Sequence, residues 1–397
     1  MMKRIILHKG REKSLLRRHP WVFSGAVERI EGECLPGETV MVTDHKGNFL
    51  AWAGYSKASQ ITGRVWSFDE SESVDQAFFT KKVAAAAALR AKLGLDDPDG
   101  GCRLIFSEAD QLPGVIVDRF GKFLILQLLS AGAEFNREYI VNALWEICKP
   151  EGIHERSDVS VRRKEQLPGR SGMVKGAELP GEIIIREEDM LFAVDGRKGQ
   201  KTGFYFDLRS ARKTLRSFAR GAKILNCFSY TGAFAVAALK SGASHVLNMD
   251  SSAPALKQLE RNMLLNHIPA TAWENRCGDV FTLLRELDNG GEKFDIVILD
   301  PPKLVDSQRA LVSGARAYQD LARYGFKLLN PGGVLFNFSC SGLMPAELFQ
   351  KITASAALEA GVDARIIARM EQAPDHPTFL SVPETFYLKG LVSVLNR

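Results

Sequence analysis

The sequence lacks any long apolar run. Nowhere do about eighteen apolar residues follow one another, which is the length that a helix needs to cross a bilayer. After Met1-Met2-Lys3-Arg4 only three apolar residues follow, so a secretory signal peptide is not indicated either. We therefore expect a cytoplasmic protein that has no membrane partner.

Cysteine is sparse and scattered. The six cysteines form no CxxC pair and no cluster with histidine. They are Cys34, Cys102, Cys148, Cys227, Cys277 and Cys340. Zinc sites and disulfide frameworks both need closely spaced cysteines, so we expect neither, and the thiols should be reduced. No metal is predicted.

Acidic residues are nearly absent from the first twenty positions. That segment carries seven lysines and arginines against Glu12 alone, whereas the whole chain of 397 residues has a formal net charge of only +5. A concentrated basic patch suits a polyanion, because each phosphate that it neutralises releases counterions. A solvated basic face would explain the same charge, so composition leaves both interpretations open.

The chain is long enough for two or three domains. Residues 1–70 contain short apolar runs broken by glycine and turn residues, which predicts a small β-barrel. Residues 71–186 combine an alanine-rich helix, two strands around a turn and a helix from about Ala133 to Cys148, which predicts an α+β domain. The polar stretch 155–176 lacks apolar periodicity, and we expect it to be an exposed loop.

Residues 187–397 alternate strands with helices. The predicted strands end near Phe228, Asp250, Cys277, Leu299 and Phe338, and the last of them begins at Val334. Alternation of elements of this length is typical of a doubly wound, mostly parallel sheet, so the fold class is α/β. In such sheets, ligands bind outside the carboxyl ends of the strands.

No GxGxxG motif follows the first of these strands. The strand leads instead into Asn226-Cys227-Phe228-Ser229-Tyr230-Thr231-Gly232, and acids follow the next two strands. Such a turn brings backbone amides close to a ligand, and an acid about twenty residues later accepts hydrogen bonds from ribose hydroxyls. Without a pyrophosphate cradle, a nucleoside cofactor such as S-adenosylmethionine (SAM) is favoured over a dinucleotide. The residues that we expect to bind it are Asn226, Phe228, Tyr230, Thr231, Gly232, Asp250 and Asp279.

Two further strand ends carry reactive groups. Asp300 begins Asp300-Pro301-Pro302-Lys303 after the fourth strand, and Cys340 lies in Ser339-Cys340-Ser341 after the fifth. Because the carboxyl ends of parallel strands meet at one edge of the sheet, an acid and a thiol nucleophile should share one crevice. The pairing indicates chemistry on a nucleobase.

These motifs, in this order, resemble those of the ribosomal RNA large subunit methyltransferase I family over essentially the whole chain. Residues 9–23 resemble the opening of a PUA domain, which is an RNA-binding module, and residues 200–209 and 373–377 resemble further family segments. The family methylates carbon 5 of a cytosine in 23S rRNA. The resemblance implies a PUA domain, a central α+β domain and a Rossmann-like methyltransferase domain, with SAM as cofactor and 23S rRNA or a large-subunit precursor as partner.

The resemblance also implies roles for single residues. Cys340 would add to carbon 6 of the cytosine, and Asp300 would stabilise the adduct as an acid at the N3 edge of the ring. Related 5-methylcytosine enzymes carry a second cysteine, thought to help product release, where this chain has Pro302. Cys340 would therefore form and release the adduct alone. The residues expected to contact RNA are Arg11, Arg17, Arg18, His19 and Lys303.

Two alternatives stay open. An N2-guanine rRNA methyltransferase shares a similar cofactor turn and DPP tetrapeptide but uses no covalent thiol, and it typically carries an aromatic residue where this chain has Leu304. A non-catalytic RNA-binding factor in ribosome assembly would keep the fold. The target nucleotide and the base that removes the carbon 5 proton stay open. The substrate is either naked rRNA or an assembled subunit, and the protein is either a monomer or a homodimer.

Overall fold

The computed structural model describes residues 3–197, 199 and 202–396. Gln200 and Lys201, which begin one of the segments that resemble the family, lie outside the described residues. The chain divides into two compact units. The first unit comprises residues 1–185, 194–206 and 374–385, and the second comprises residues 186–193, 207–373 and 386–397. Among the described residues, none of the helices combines the length and apolar character of a membrane span.

A six-stranded sheet opens the first unit. Its strands are β1 (Arg4–Leu7), β2 (Trp21–Phe23), β3 (Val27–Glu31), β4 (Thr39–Thr43), β5 (Phe49–Tyr55) and β6 (Ile61–Ser67), with the short helix α1 (Lys13–Leu16) after β1. The order is β2-β6-β5-β4-β1-β3, and only β1 and β4 pair in parallel. Alternate side chains of the strands, among them Ile5, Val40 and Val42, form one buried core.

A five-stranded sheet follows in the same unit. Its strands are β7 (Gly101–Phe106), β8 (Val115–Phe120), β9 (Phe123–Leu128), β10 (Gly152–Arg156) and β11 (Ser171–Gly176), in the order β11-β10-β9-β8-β7. Its helices are α2 (Gln76–Lys92), α3 (Ala131–Phe135) and α4 (Arg137–Cys148). The parallel pair β9 and β10 needs a crossover, and α3 and α4 provide it. The boundaries predicted at residues 70 and 186 stay a prediction.

Two expectations for this region were wrong. The stretch 155–176 is not an exposed loop, because β11 occupies its end and Arg162 is only 1% exposed. The Arg162 guanidinium donates to the Pro168 carbonyl at 2.9 Å and to Glu134 at 3.0 Å, so charged contacts hold the segment in the absence of apolar periodicity. The single helix expected to end at Cys148 is instead two helices, divided at Asn136, whose amide donates to the Gly132 carbonyl.

A two-stranded sheet, β12 (Ile183–Glu187) with β13 (Met190–Val194), precedes the large sheet of the second unit. That sheet has seven strands in the order β16-β15-β14-β17-β18-β20-β19. They are β14 (Lys223–Cys227), β15 (His245–Asp250), β16 (Trp273–Cys277), β17 (Phe294–Leu299), β18 (Leu329–Ser339), β19 (Ala364–Met370) and β20 (Lys389–Leu395). The helices are α5 (Arg209–Arg216), α6 (Ala233–Lys240), α7 (Ala253–Leu265), α8 (Val280–Asn289), α9 (Leu311–Lys327) and α10 (Ala346–Glu359).

The large sheet confirms the predicted doubly wound α/β fold. Strands β14 to β18 run parallel, and β20 pairs antiparallel with both β18 and β19 at one side. The strand order reverses between β14 and β17, which is the switch point where a sheet of this kind binds its ligand. The fifth predicted strand is longer than expected, because β18 begins at Leu329 rather than at Val334.

Candidate cofactor and catalytic site

The turn after β14 has an unusual backbone. Phe228, Tyr230 and Gly232 have φ values of 57°, 47° and 80°, so alternate residues adopt the left-handed conformation. Left-handed non-glycine residues are uncommon and cluster at ligand sites. The Ser229 amide donates to the Met249 carbonyl at 3.0 Å, which fastens the turn to the end of β15.

Helix α7 supports the end of this turn. A Cβ atom on Gly232 would lie 2.4 Å from Cγ of Leu259, so only glycine allows α6 to begin so close to α7. Asn262, which is fully buried, donates from Nδ2 to the Thr231 carbonyl at 2.8 Å. These contacts fix Thr231 and Gly232, two of the residues expected to bind the cofactor.

The two acids that were expected at the strand ends both serve backbone amides. Asp250 accepts from the Tyr230 amide through Oδ2 and from the Ser252 amide through Oδ1, both at 2.8 Å. Asp279 caps α8, because its Oδ1 accepts from the Thr282 amide at 2.9 Å. A carboxylate has about four lone-pair sites, so these contacts leave capacity to accept from a ligand's hydroxyl or amino groups.

Asn226 belongs to a ladder of asparagines that the sequence analysis missed. Its Nδ2 donates to Oδ1 of Asn248 at 3.0 Å, and Nδ2 of Asn248 donates to Oδ1 of Asn275 at 3.3 Å. The three residues are register partners in β14, β15 and β16. The one signal in the sequence is an asparagine at the matching position of three successive predicted strands. The contact of Asn226 with cofactor stays a prediction.

The structure brings the two reactive motifs together. Asp300 follows β17 and Cys340 follows β18, and these strands are parallel neighbours with Leu299 opposite Asn337. The Cys340 thiol lies 3.7 Å from the carbonyl oxygen of Pro301, the residue next to Asp300. Asp300 and Cys340 are both partly exposed, which reaction with a substrate requires.

A buried hydroxyl pair fixes the segment after Cys340. The Val305 amide donates to Oγ of Ser341 at 3.1 Å, and the Tyr318 hydroxyl lies 2.9 Å from the same oxygen. Burial raises the pKa of Tyr318, which therefore stays protonated near neutral pH. The loop that follows Asp300 and the loop that carries Cys340 are thus joined through Ser341.

Lys389 is a residue of this site that the sequence analysis missed. It lies in β20, opposite Ser339 of β18, and is only 5% exposed. Its Nζ donates to the Ser341 carbonyl at 2.6 Å and to the Tyr387 carbonyl at 2.7 Å. Desolvation lowers the pKa of Lys389 to about 8, although the nearby Cys340 charge acts in the opposite direction. A single lysine within the apolar run 388–392 was the available signal.

The residues expected to contact RNA differ in their surroundings. Arg11 and Arg17 are exposed in the first unit, and Lys303 is exposed in the second. The Arg18 guanidinium lies 5.0 Å from the ring centroid of Phe68. His19 is held within the first unit, where Nε2 lies 3.1 Å from a carboxylate oxygen of Glu384. RNA contact by these five residues stays a prediction.

No group of three or more metal-binding side chains occurs among residues 3–197, 199 and 202–396. At the switch point of the doubly wound sheet, the structure places the turn with alternate left-handed residues, the acid Asp300 and the thiol Cys340.

Comparisons with known proteins agree with the predicted fold class. Residues 5–68 match the family model of a PUA-like domain, and residues 171–392 match that of S-adenosylmethionine-dependent methyltransferases. Ribosomal RNA large subunit methyltransferase I of Yersinia pseudotuberculosis serotype O:1b (strain IP 31758) is 51% identical over 391 residues, which cover 98% of each chain. The protein of the same name from Yersinia pestis is equally similar.

Solved structures share the whole fold. A protein from Streptococcus mutans described as a SAM-dependent methyltransferase has a TM-score of 0.84, and SMU.776, described as a methyltransferase and complexed with SAH, has a TM-score of 0.86. In each case 99% of this chain and 100% of the other are covered at 22% identity. Identity this low shows the fold alone.

Proposed function

The chain belongs to the ribosomal RNA large subunit methyltransferase I family and uses SAM as its cofactor, and we propose that it methylates carbon 5 of a cytosine in 23S rRNA through a covalent cysteine adduct. The observation that carries the proposal is the 3.7 Å distance between the Cys340 thiol and the carbonyl of Pro301. Because Pro301 directly follows Asp300, that contact supports the proposal that Asp300 as acid and Cys340 as nucleophile act on one nucleobase.

The cofactor turn fits the nucleoside part of SAM. The left-handed backbone at residues 228, 230 and 232 and the absence of a Cβ at Gly232 allow a close backbone approach. Asp250 would accept hydrogen bonds from the ribose hydroxyls, and Asp279 would accept from the adenine amino group. Bound SAM supplies an electrophilic methyl group on a sulfonium.

Carbon 5 of cytosine is too weak a nucleophile to take a methyl group directly. In the proposed mechanism, the Cys340 thiolate forms a bond to carbon 6 while Asp300 gives a proton to N3, which makes carbon 5 electron-rich. After carbon 5 has gained the methyl group, a base removes its proton. The double bond then re-forms as the carbon 6–sulfur bond breaks, and N3 returns its proton to Asp300.

In this proposal, the PUA-like domain binds the RNA. The target base must leave its stack to reach the crevice, as in other enzymes that modify bases. Specific RNA recognition mostly targets unpaired loops and ends. The proposed substrate is therefore an unpaired or easily unpaired cytosine of 23S rRNA or of a large-subunit precursor.

RNA that contains 5-fluorocytosine tests the covalent mechanism. Fluorine at carbon 5 cannot be removed as a proton, so the adduct should accumulate and survive denaturant. We expect the wild type and a Cys277→Ala control to form this adduct and Cys340→Ala to form none. Undiminished methyl transfer by Cys340→Ala would refute the mechanism. Mapping 5-methylcytosine in rRNA from a deletion strain would identify the target nucleotide.

A further inference from the structure

Lys389 lies next to the segment that carries Cys340. It is buried, so an isolated charge on it would be unstable. Strand β20 presents Lys389 opposite Ser339, one residue before the thiol, and the ammonium donates to the carbonyl of Ser341, one residue after it. The lysine is 5% exposed, and the nearby Cys340 charge raises its pKa against a larger effect of burial. A negative charge beside the ammonium would offset the cost of burying it.

The hydrogen bonds of Lys389 do not supply that negative charge. An ammonium has three N–H groups, and the two acceptors that Nζ contacts, the carbonyls of Ser341 and Tyr387, are neutral. With a pKa of about 8, Lys389 is an ammonium at neutral pH, and a cation next to a thiol favours the thiolate.

We propose that the buried Lys389 ammonium stabilises the thiolate of Cys340, so that the pair stands as ammonium and thiolate before RNA binds. The Sγ–H bond breaks and water takes the proton, while Lys389 keeps the three N–H bonds of its ammonium. The thiolate then adds to carbon 6 and later leaves as a thiolate, so Lys389 remains an ammonium throughout the cycle. The inference rests on the proposed function for the use of the thiolate, but not for its formation.

Other titratable groups face the pair from the neighbouring elements. Burial raises the pKa of Tyr318 in α9, and the charge of Cys340 raises it further, so this phenol stays protonated. Asp300 and Lys303 lie at the end of β17, where a carboxylate would oppose a thiolate and a cation would favour one. Before β20, the Tyr387 hydroxyl donates to Asp207 at 2.5 Å. Lys303 is exposed, so solvent screens its effect more than that of Lys389.

Alkylation of the free protein tests the pair without RNA or SAM. We would measure the rate at which iodoacetamide labels Cys340 between pH 6 and pH 9.5, by peptide mass spectrometry, in the wild type and in three variants. Lys389→Met removes the cation, Lys389→Arg keeps a cation and its donors, and Lys303→Met is the neighbouring control. Cys277, which is exposed, is an internal control for the reagent in the same samples.

We expect Lys389→Met to raise the alkylation midpoint of Cys340 by at least one pH unit, which is about a tenfold loss of rate at pH 7. Lys389→Arg should recover most of that loss, whereas Lys303→Met should leave the midpoint in place. Cys277 should react alike in all four proteins. Recovery of the Cys340 midpoint by arginine would show that the positive charge is responsible. An effect of the lost lysine packing would persist in Lys389→Arg.

Three results would overturn the proposal. They are an unchanged midpoint in Lys389→Met, no recovery in Lys389→Arg, or a shift that occurs only in Lys303→Met. The proposed function fails separately, because normal methyl transfer by Cys340→Ala would refute the covalent mechanism even if Lys389 controls the thiol.

Discussion

Gly232 meets two separate constraints at the entrance to α6. Its φ of +80° disfavours any residue with a Cβ, and that Cβ would also lie 2.4 Å from the Leu259 side chain. Gly221 has a similar φ of +74°, but no atom lies within 4 Å of the corresponding position. The two glycines therefore separate backbone strain from steric clash.

We predict that Gly232→Ala abolishes measurable SAM binding and that Gly221→Ala does not. Both variants should lose about 1 kcal/mol of unfolding free energy to backbone strain, and Gly232→Ala should lose roughly 1–3 kcal/mol more through overpacking. Calorimetric titration with SAM and urea unfolding would measure the two effects. Equal losses in both variants would mean that the contact with Leu259 has no part in the site.

The cysteines should differ widely in reactivity, because the thiolate is the nucleophile. Burial raises the pKa of Cys148 to about 11 and also raises the pKa of Cys227, whereas Cys277 is exposed. At pH 8, a thiol with a pKa of about 11 is only about one part in a thousand thiolate. We predict that iodoacetamide labels Cys277 within minutes and leaves Cys148 and Cys227 unlabelled, as peptide mass spectrometry would show. All three should react in urea; early labelling of Cys227 in the folded protein would contradict its burial.

Among the elements, three parallel strands share the asparagine ladder. Asn248 in β15 is fully buried and lies between Asn226 of β14 and Asn275 of β16. A buried amide that loses its partner costs about 1–3 kcal/mol. The ladder therefore stabilises the edge of the sheet from which the cofactor turn begins.

We predict that Asn248→Ala lowers the free energy of unfolding by about 1–3 kcal/mol and weakens SAM binding, because Asn226 loses its acceptor. Gln319→Ala is the control, since it removes an exposed hydrogen bond to Glu359 in the same unit and should change stability by less than about 0.5 kcal/mol. A double-mutant cycle with Asn226→Ala measures the coupling. A coupling near zero would show that the ladder contributes nothing to stability.

Some elements could be predicted from the sequence and others could not. Strand β15, which ends at Asp250, and strand β17, which ends just before Asp300, are recognisable as mostly buried runs, so both acids are predicted at one edge of a parallel sheet. Strand β11 has no such run, and the segment before it is held by hydrogen bonds from Arg162 to the Pro168 carbonyl and to Glu134, which apolar periodicity does not reveal. Lys389 was missed for a related reason: an antiparallel strand distant in sequence brings it to Cys340, and spacing along the chain does not reveal such a contact.

On the scale of the whole molecule, the basic start of the chain lies in the first unit, and the residues proposed for methyl transfer lie in the second. Arg11 and Arg17 are exposed in the first unit, and residues 5–68 of that unit match a PUA-like domain. Arg29 in the same sheet is also exposed, but its guanidinium donates to Glu28 and Glu31. Arg17 and Arg29 thus differ in whether neighbouring acids already neutralise the charge.

We predict that replacing Arg11, Arg17 and Arg18 together with alanine weakens RNA binding and leaves the affinity for SAM unchanged. If each arginine contacts one phosphate, the slope of log K against log salt should fall in magnitude by about 2–3, because each lost contact removes roughly 0.7–0.9. Arg17→Ala alone should remove about one such step and Arg29→Ala almost none. Binding of an rRNA fragment at several salt concentrations would measure the slopes. Equal slopes for the wild type and the triple variant would show that this basic segment is a solvated face, and the grip on RNA would then have to come from another surface.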